Sequence, residues 1–403
     1  MSHLGRAFAR WRVFALECLN MASAPSPLAV EIMPPAALGR ADLDVWLQIQ
    51  ADQPVFANPL LGPGFALAVG RAREDARVAV FRRDRRAVAF FAHHRRPGGF
   101  GRPIGAPFSD YHAVIAAADA FHPGDNVVAL AGLKAFRHSG LIDPHGLFPA
   151  AEVLHEAFSI ELNGTVEAYL EAVRAASPKK FKNYRRLMHR LAELGPLAMR
   201  VDGDAADLDT LLRWKSEQFV RTGTQNVLRP AWVTALMHDL FVADEASMTG
   251  LMLTLHAGDR LVGGHFGIRQ GDIYHPWIAS MDPDLAFCSP GNAFLDQAIR
   301  AMPGLGLRVY DLGVGHDHYK RPYVSTVKTV ASGLQSAPGG AGALSRAGDK
   351  AWRVGALGRS GAIDKVRRRL DHIATTDPSL RGRMHGLMEA VAATRRRSLT
   401  AGD

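Results

Sequence analysis

Cysteine is nearly absent from this chain of 403 residues: Cys18 and Cys288 are its only two, far apart and without the Cys/His spacing of a zinc site. A disulfide framework and a structural metal are therefore both excluded as organising devices. Long apolar runs are missing as well. The longest uncharged stretch, residues 53–70, is broken by Pro54, Pro59 and Pro63, so no spanning helix is expected. The N-terminus has the outline of a signal peptide, with Arg6, Arg10 and Arg12 ahead of VFALECLNM. Glu17 and Asn20 inside that short segment argue against export and leave an amphipathic surface helix or a start at Met21. The expected location is cytoplasmic, with peripheral contact at the inner membrane face.

What is present is ordinary globular composition, 47% hydrophobic and 22% charged, with a net charge of +9. Residues 336–403 hold 13 Lys/Arg against 6 Asp/Glu, or +7, which leaves +2 for everything before them. A nearly neutral body with a basic appendix argues against a nucleic-acid-binding body and for a catalytic body with a surface- or partner-seeking tail.

The pattern divides into a flexible leader (1–35), a first α/β unit (36–160), a second (161–335), and a basic linker with short helices (336–403). In the first unit a helix is expected over 42–50. ARVAVFRRD and RRAVAFFAHHRR read as two strands about a polar turn, followed by the Gly/Pro-rich loop GGFGRPIGAPFSDYH. AEVLHEAFSIEL is a strand and 165–175 a helix. SPKKFKNYRRLMHRLAELG starts with Ser177 as cap and Pro178 at the first helical position, presents Leu187, Leu191 and Leu194 as a buried face, and stops at Gly195. Strand LAMRV, helices near 207–221 and 229–241, and three strands joined by Gly-Asp turns make an antiparallel meander. A helix at 289–302 and a strand LRVYDLG follow. SAPGGAGALSRAG reads as a flexible linker, with basic helices over 366–373 and 387–397.

Chemistry concentrates in CSPGNAFLDQAIRAMPGLGLRVYDLGVGHDHYKRPY. Ser289 at the cap and Pro290 after it leave Gly291 and Asn292 at the positive end of a helix whose Leu295, Ile299 and Met302 form the buried stripe. Such an end accepts a phosphate, though an ordinary capped helix reads the same way. The order of meander, Pro-Gly helix start, strand ending in Asp-Leu-Gly and then Tyr-Lys resembles the acyltransferase domain of the GNAT superfamily. It is similar in particular to the CelD/BcsL branch named for cellulose biosynthesis, related to the FemAB-like tandem acyltransferases. The likeness spans about residues 40–330, with PFSDYHAVI and KNYRRLMHRL supporting it upstream.

The resemblance implies two GNAT-like domains in tandem, each a mixed, largely antiparallel sheet flanked by helices, that is, an α/β (α+β) fold. It implies acetyl-CoA as co-substrate and no metal. Carried onto this chain, pantetheine pairs with the strand holding Ile278, Ala279 and Ser280, and the pyrophosphate rests on Ser289, Gly291 and Asn292. The superfamily's usual Arg/Gln-x-x-Gly-x-Gly/Ala loop is absent, and FCSPGNA offers one glycine in its place. Asp311 is expected to face a cleft as base or orienting carboxylate, or else to tie down the glycine loop. Tyr319 is a candidate to donate a proton or hydrogen-bond the thioester and Lys320 to pair with a phosphate or the substrate, unless the two are merely a surface pair; His265 and His275 on adjacent strands are candidates for an acid/base pair or else satisfied packing residues.

Lys179, Lys180, Lys182, Arg185, Arg186 and Arg190 crowd one helix beginning at its positive end, which calls for an anionic compensator. Lys182, Arg185 and Arg186 are substrate candidates unless the helix face is simply solvated; Asp110 and Tyr111 in the first unit's loop resemble the family's Asp-Tyr pair and on that resemblance line the acceptor cleft; Trp214 is either a sugar-stacking platform or core packing. The resulting expectation is an N-acyltransferase acting on an amino sugar or lipid-linked sugar precursor of a bacterial exopolysaccharide, of cellulose, holdfast or capsule type. Two rivals stand beside it: an aminoacyl-tRNA-dependent transferase acting on a peptidoglycan precursor, and a catalytically silent scaffold.

Overall fold

The computed structural model describes residues 27–149, 151–201, 203–315 and 320–357, with 370, 373–376, 384 and 388 beyond them. The chain begins with β1 (Ala29–Met33), α1 (Arg40–Asp52) and α2 (Pro63–Ala72). Strands β2 (Ala76–Arg83) and β3 (Arg86–Arg96) form a hairpin about Asp84 and Arg85, both at positive φ (49° and 66°), as a tight two-residue turn requires. Next come β4 (Phe100–Pro103), β5 (Ile115–Ala116), α3 (Val127–Leu130), β6 (Ala135–Leu141) and β7 (Ala151–Glu161). The second half continues with α4 (Val166–Ala176), α5 (Pro178–Ala192), β8 (Leu197–Arg200), α6 (Ala205–Arg221) and α7 (Ala231–Phe241). It ends with β9 (Asp244–Glu245), β10 (Met248–Ala257), β11 (Arg260–Gln270), β12 (Ile273–Met281), α8 (Pro290–Ala301), β13 (Val309–Val314), β14 (Thr326–Ser336) and α9 (Gly340–Leu357).

All of the strands lie in one mixed, mostly antiparallel sheet, ordered β1-β2-β3-β4-β6-β14-β7-β13-β12-β11-β10-β8, with β5 and β9 beside β3 and β10. Among the described strands only β4–β6 and β12–β13 pair in parallel. The two predicted units thus share a continuous sheet, because β14 inserts between β6 and β7 and β7 pairs with both β13 and β14.

Helices cover the sheet over three apolar clusters. α1, α2 and α7 pack on one around Trp46, Phe65 and Leu236, where the Trp46 and Phe90 rings stack at 4.7 Å. α4, α5 and α8 close the second around Leu170, Leu191, Phe294 and Tyr310. The third, around Phe91, Phe136 and Phe148, underlies α3. Phe294 is fully buried, and emptying such a site costs about 3–5 kcal/mol.

Several expectations need correction. Ala29–Met33, placed in the flexible leader, form an edge strand paired in register with β2; residues 1–26 lie outside the described ones. The supposed linker is helical from Gly340, where Asp349 is gripped by Arg137 at 2.5 Å. Leu194, expected in the buried face of α5, is 47% exposed just past the helix end. Ser177 and Ser289 stand at cap positions, but neither side chain makes the capping bond; Ser289 instead adopts φ 49°, ψ 56°. Most of the basic tail lies outside the described residues; of the helices expected over 366–373 and 387–397 only residues 370, 373 and 388 are described, each in helical conformation. No described helix is long and apolar enough to cross a membrane.

Candidate active site

The parallel strands β12 and β13 pair only at Ile273–Val309 and Tyr274–Tyr310 and then part. Part of the reason is local. Trp277 is an extra residue in β12, since Gly267 faces Pro276 while Phe266 faces Ile278, and Pro276 has no N–H to donate. Gly267 is needed opposite this bulge, because a Cβ there would collide with the His275 carbonyl. A cavity of about 700 Å³ adjoins the fork. Its walls come from β12 at Pro276–Met281, the start of α8 at Ser289–Asn292, α6 at Trp214, Lys215 and Gln218, and the first-half loop at Phe108 and Asp110. Lys320, Leu312 and Val314 line it from the far side of the fork.

At one end the cavity reaches a buried chain of charges. Asp110, whose side chain is 35% exposed, has Oδ2 3.4 Å from Nε2 of the fully buried His275. The other ring nitrogen, Nδ1, is 3.6 Å from Oδ1 of Asp311. Asp311 is 1% exposed and accepts hydrogen bonds from Tyr111 Oη at 2.7 Å, the Gly313 N–H at 2.9 Å and Asn58 Nδ2 at 3.1 Å. The Asn58 amide is oriented by its Oδ1, which accepts the Leu60 N–H at 2.9 Å. Asn58 Nδ2 also lies 3.4 Å from His275 Nδ1, so the amide and the ring meet beside the same carboxylate.

Burial alone would lower the pKa of His275, but Asp110 and Asp311 more than offset it and raise the ring to about 9. For Asp311 burial pushes upward, and His275, Tyr111 and the Gly313 N–H outweigh it, holding the carboxyl below its usual range. The result is an imidazolium clamped between two carboxylates, one hidden and one open to the cavity. Tyr111 is driven far up by burial and by Asp311, so its hydroxyl stays a donor.

The other buried histidine of the fork is its opposite. Tyr310 and Asp311 are consecutive in β13 and so project to opposite faces of the sheet. His265 goes with Tyr310, its Nδ1 2.6 Å from the phenol oxygen and its ring 4.2 Å from that of Phe294. Burial, and then the nearby Lys320 and Lys215, depress its pKa well below the ordinary value, leaving it neutral. Its Nε2 is buried without a hydrogen-bond partner, and the residue lines the cavity.

These placements revise the expected site. His265 and His275 are not a pair, since they differ in sheet face, partners and charge. Asp311 does not face the cleft; it stands behind His275, and Asp110 is the carboxylate that the cavity meets. Ile278, Ala279, Ser280, Ser289, Gly291, Asn292, Trp214 and Lys320 all line the cavity. Tyr111 lies behind it on Asp311, and Tyr319 falls outside the described residues. Lys182, Arg185 and Arg186 are exposed on α5 and are not part of the cavity wall.

Sequence reading missed Asn58, Trp277 and Phe108. The Asn-Pro step at 58–59 was the available signal for the first, but nothing in the sequence ties it to a residue 253 positions away. At the α8 start, the Asn292 N–H is taken by the Ser289 carbonyl at 3.1 Å, whereas its side-chain Oδ1 is buried and unpartnered. Among the described residues no cluster of three or more His, Cys, Asp or Glu is placed to hold a metal.

Comparison with known proteins yields a family for part of the chain: residues 178–321 match the family model of an acetyltransferase (GNAT) domain. The search of curated proteins found no match. Among solved structures, FemX is 10% identical over 75% of this chain and 96% of its own, with a TM-score of 0.48. A tandem GNAT protein from the clavulanic acid biosynthesis pathway is 10% identical over 78% of this chain and 100% of its own, at 0.43. The C-terminal domain of a putative lysylphosphatidylglycerol synthetase from Agrobacterium fabrum is 13% identical over 75% and 95%, at 0.41.

Proposed function

We propose that the chain, whose residues 178–321 match the acetyltransferase (GNAT) domain model, is an acyl-CoA-dependent acyltransferase that transfers the acetyl group of acetyl-CoA to the amine of an amino sugar or sugar-linked precursor. The wider role we propose is exopolysaccharide biosynthesis of the CelD/BcsL type. The observation that carries this reading is the forked-strand cavity, which has an anionic, aromatic end at Asp110 and a helix N-terminus at the other.

The residues suited to the donor are those of β12 past the fork, together with Ser289, Gly291 and Asn292. The thioester supplies the activated acyl group. The chain's own chemistry begins at Asp110, placed to accept the proton of an acceptor ammonium. His275, its pKa raised by Asp110 and Asp311, holds that carboxylate in place, with Asn58 and Tyr111 anchoring Asp311 behind it. Phe108, Trp214, Phe219 and Trp277 line the same cavity, and flat apolar walls beside a carboxylate suit a sugar ring bearing an amine. At the opposite face neutral His265 lines the cavity with its Nε2 buried and unpartnered, so with the proton on that nitrogen it can offer a hydrogen bond to a departing thiolate.

One observation favours the aminoacyl-tRNA-dependent alternative. The Ala279 carbonyl, which a pantetheine amide would use, already accepts the Lys215 ammonium at 3.2 Å. Calorimetric titration with acetyl-CoA, CoA and an aminoacyl-RNA fragment separates these readings, with Gly291→Trp as a blocked-cavity control. Saturable acetyl-CoA binding that the control loses supports the proposal. Heat from the RNA fragment alone supports the alternative, and heat from none favours the scaffold.

A further inference from the structure

The basic helix noted in the sequence is left over from the site, and its surroundings point to a partner. Lys179, Lys182, Arg186 and Arg190 recur at intervals of three and four residues and so form one stripe along α5, flanked by Lys180 and Arg185. All six are exposed, and no carboxylate among the described residues lies within ion-pair distance of any of them. The lysines of the first turn also oppose the helix dipole. At about 1.5 Å per residue the row from Lys179 to Arg190 runs some 16 Å, several times the span of a single diphosphate. The compensating anion is therefore an extended array of charges.

The second observation is apolar. Phe287, on the 3-10 turn Pro283–Cys288 against which α5 packs, is 58% exposed, and the Arg190 guanidinium sits over its ring at 5.2 Å. The acid of that turn, Asp284, lies 3.8 Å from Arg260. Phe287 is flanked by Ala286 and, two residues on, Ser289, both on the cavity wall. Leu194, just beyond the C-terminal end of α5, is exposed too.

We propose that the outward face of α5 together with Phe287 is a docking surface for an anionic lipid bilayer, holding the donor-side mouth of the cavity close to the membrane. A single cationic row on a convex helix lies tangent to a plane along its whole length, so each of its charges can meet an anionic bilayer surface. An exposed phenyl ring beside the row adds an apolar wedge at headgroup depth. The inference is independent of the acceptor's identity and of the basic tail.

The test is co-sedimentation of the full chain with vesicles of phosphatidylglycerol and phosphatidylcholine, set against phosphatidylcholine alone. Each basic residue near an anionic surface contributes about 1 kcal/mol, so Lys182→Ala/Arg186→Ala/Arg190→Ala is expected to bind anionic vesicles ~100-fold more weakly. Phe287→Ser should weaken binding further, and wild-type binding should fall steeply with added salt. Acetyl-CoA binding and thermal midpoint measured without lipid are expected to stay unchanged, which keeps this result separate from the fate of the acetyltransferase reading. Unaltered vesicle binding by the triple variant would place any lipid contact on the tail and overturn the proposal. Loss of donor binding in solution would overturn it as well, as would protection of the row by a short RNA duplex without vesicle binding.

Discussion

Asp110 and His275 carry the chemistry at the scale of single residues, and their coupling has a measurable pH signature. His275 is raised from 6.5 to about 9 in the folded protein. A group raised in this way contributes stability that is complete below pH 6.5 and is lost as pH climbs through about 9. Thermal melts between pH 6 and 10 should show the midpoint falling across that window, and transfer activity should decline on its alkaline side as the clamp on Asp110 loosens. In His275→Gln the alkaline decline should disappear while activity at pH 7 is already low, because Asp311 is left buried with a neutral partner. Asp311 acts in the opposite sense: its lowered pKa contributes stability present above about pH 4 and lost as the solution is acidified below it.

Elements set where those residues meet, and here the backbone is the sensitive part. Gly313 sits at φ 71° one step past Leu312, and a Cβ there would overlap Asp110 Oδ2. Gly313→Ala is expected to cost stability through its positive φ and, by displacing Asp110, to lower turnover more than donor affinity. Calorimetry and steady-state kinetics on the same sample separate the two effects. The elements themselves were largely legible in the sequence. The β2–β3 hairpin, the three-strand meander and α8 follow from alternation, turn residues and a proline at the first helical position. β14 was not legible, since TVKTVASGLQS is stabilised by partners from β6 and β7 far earlier in the chain rather than by its own pattern. The start of α9 was hidden by Gly339 and Gly340, which read as a linker until the contact of Asp349 with Arg137 is seen.

At the scale of the whole molecule the site is a product of the continuous sheet. The residues now lining and backing the cavity were mostly visible as types worth noting, among them Asp110, Trp214, Gly291 and Asp311. Their roles were not visible, because which carboxylate is open and which is hidden depends on contacts spanning 200 residues and more. The first half also stores a liability to acid. His93, His112 and His138 are buried among Phe91, Phe136 and Phe148, and burial lowers His93 and His138 to about 4 and His112 well below its ordinary value. Neutral in the fold and protonated when unfolded, they withdraw stability as pH falls from 6.5 toward 4. Equilibrium urea unfolding at pH 7 and pH 5 should show a lower midpoint at pH 5, with the difference reduced in His138→Gln.

The central claim is that Asp110, backed by His275 and Asp311, takes the acceptor's proton in the fork between β12 and β13. It is tested most directly by steady-state transfer from acetyl-CoA to glucosamine in wild type and Asp110→Asn, with donor affinity measured on the same preparations. The account predicts at least ~100-fold lower kcat in the variant, the usual scale of a lost general base, with acetyl-CoA affinity unchanged. Equal turnover by wild type and variant would contradict it.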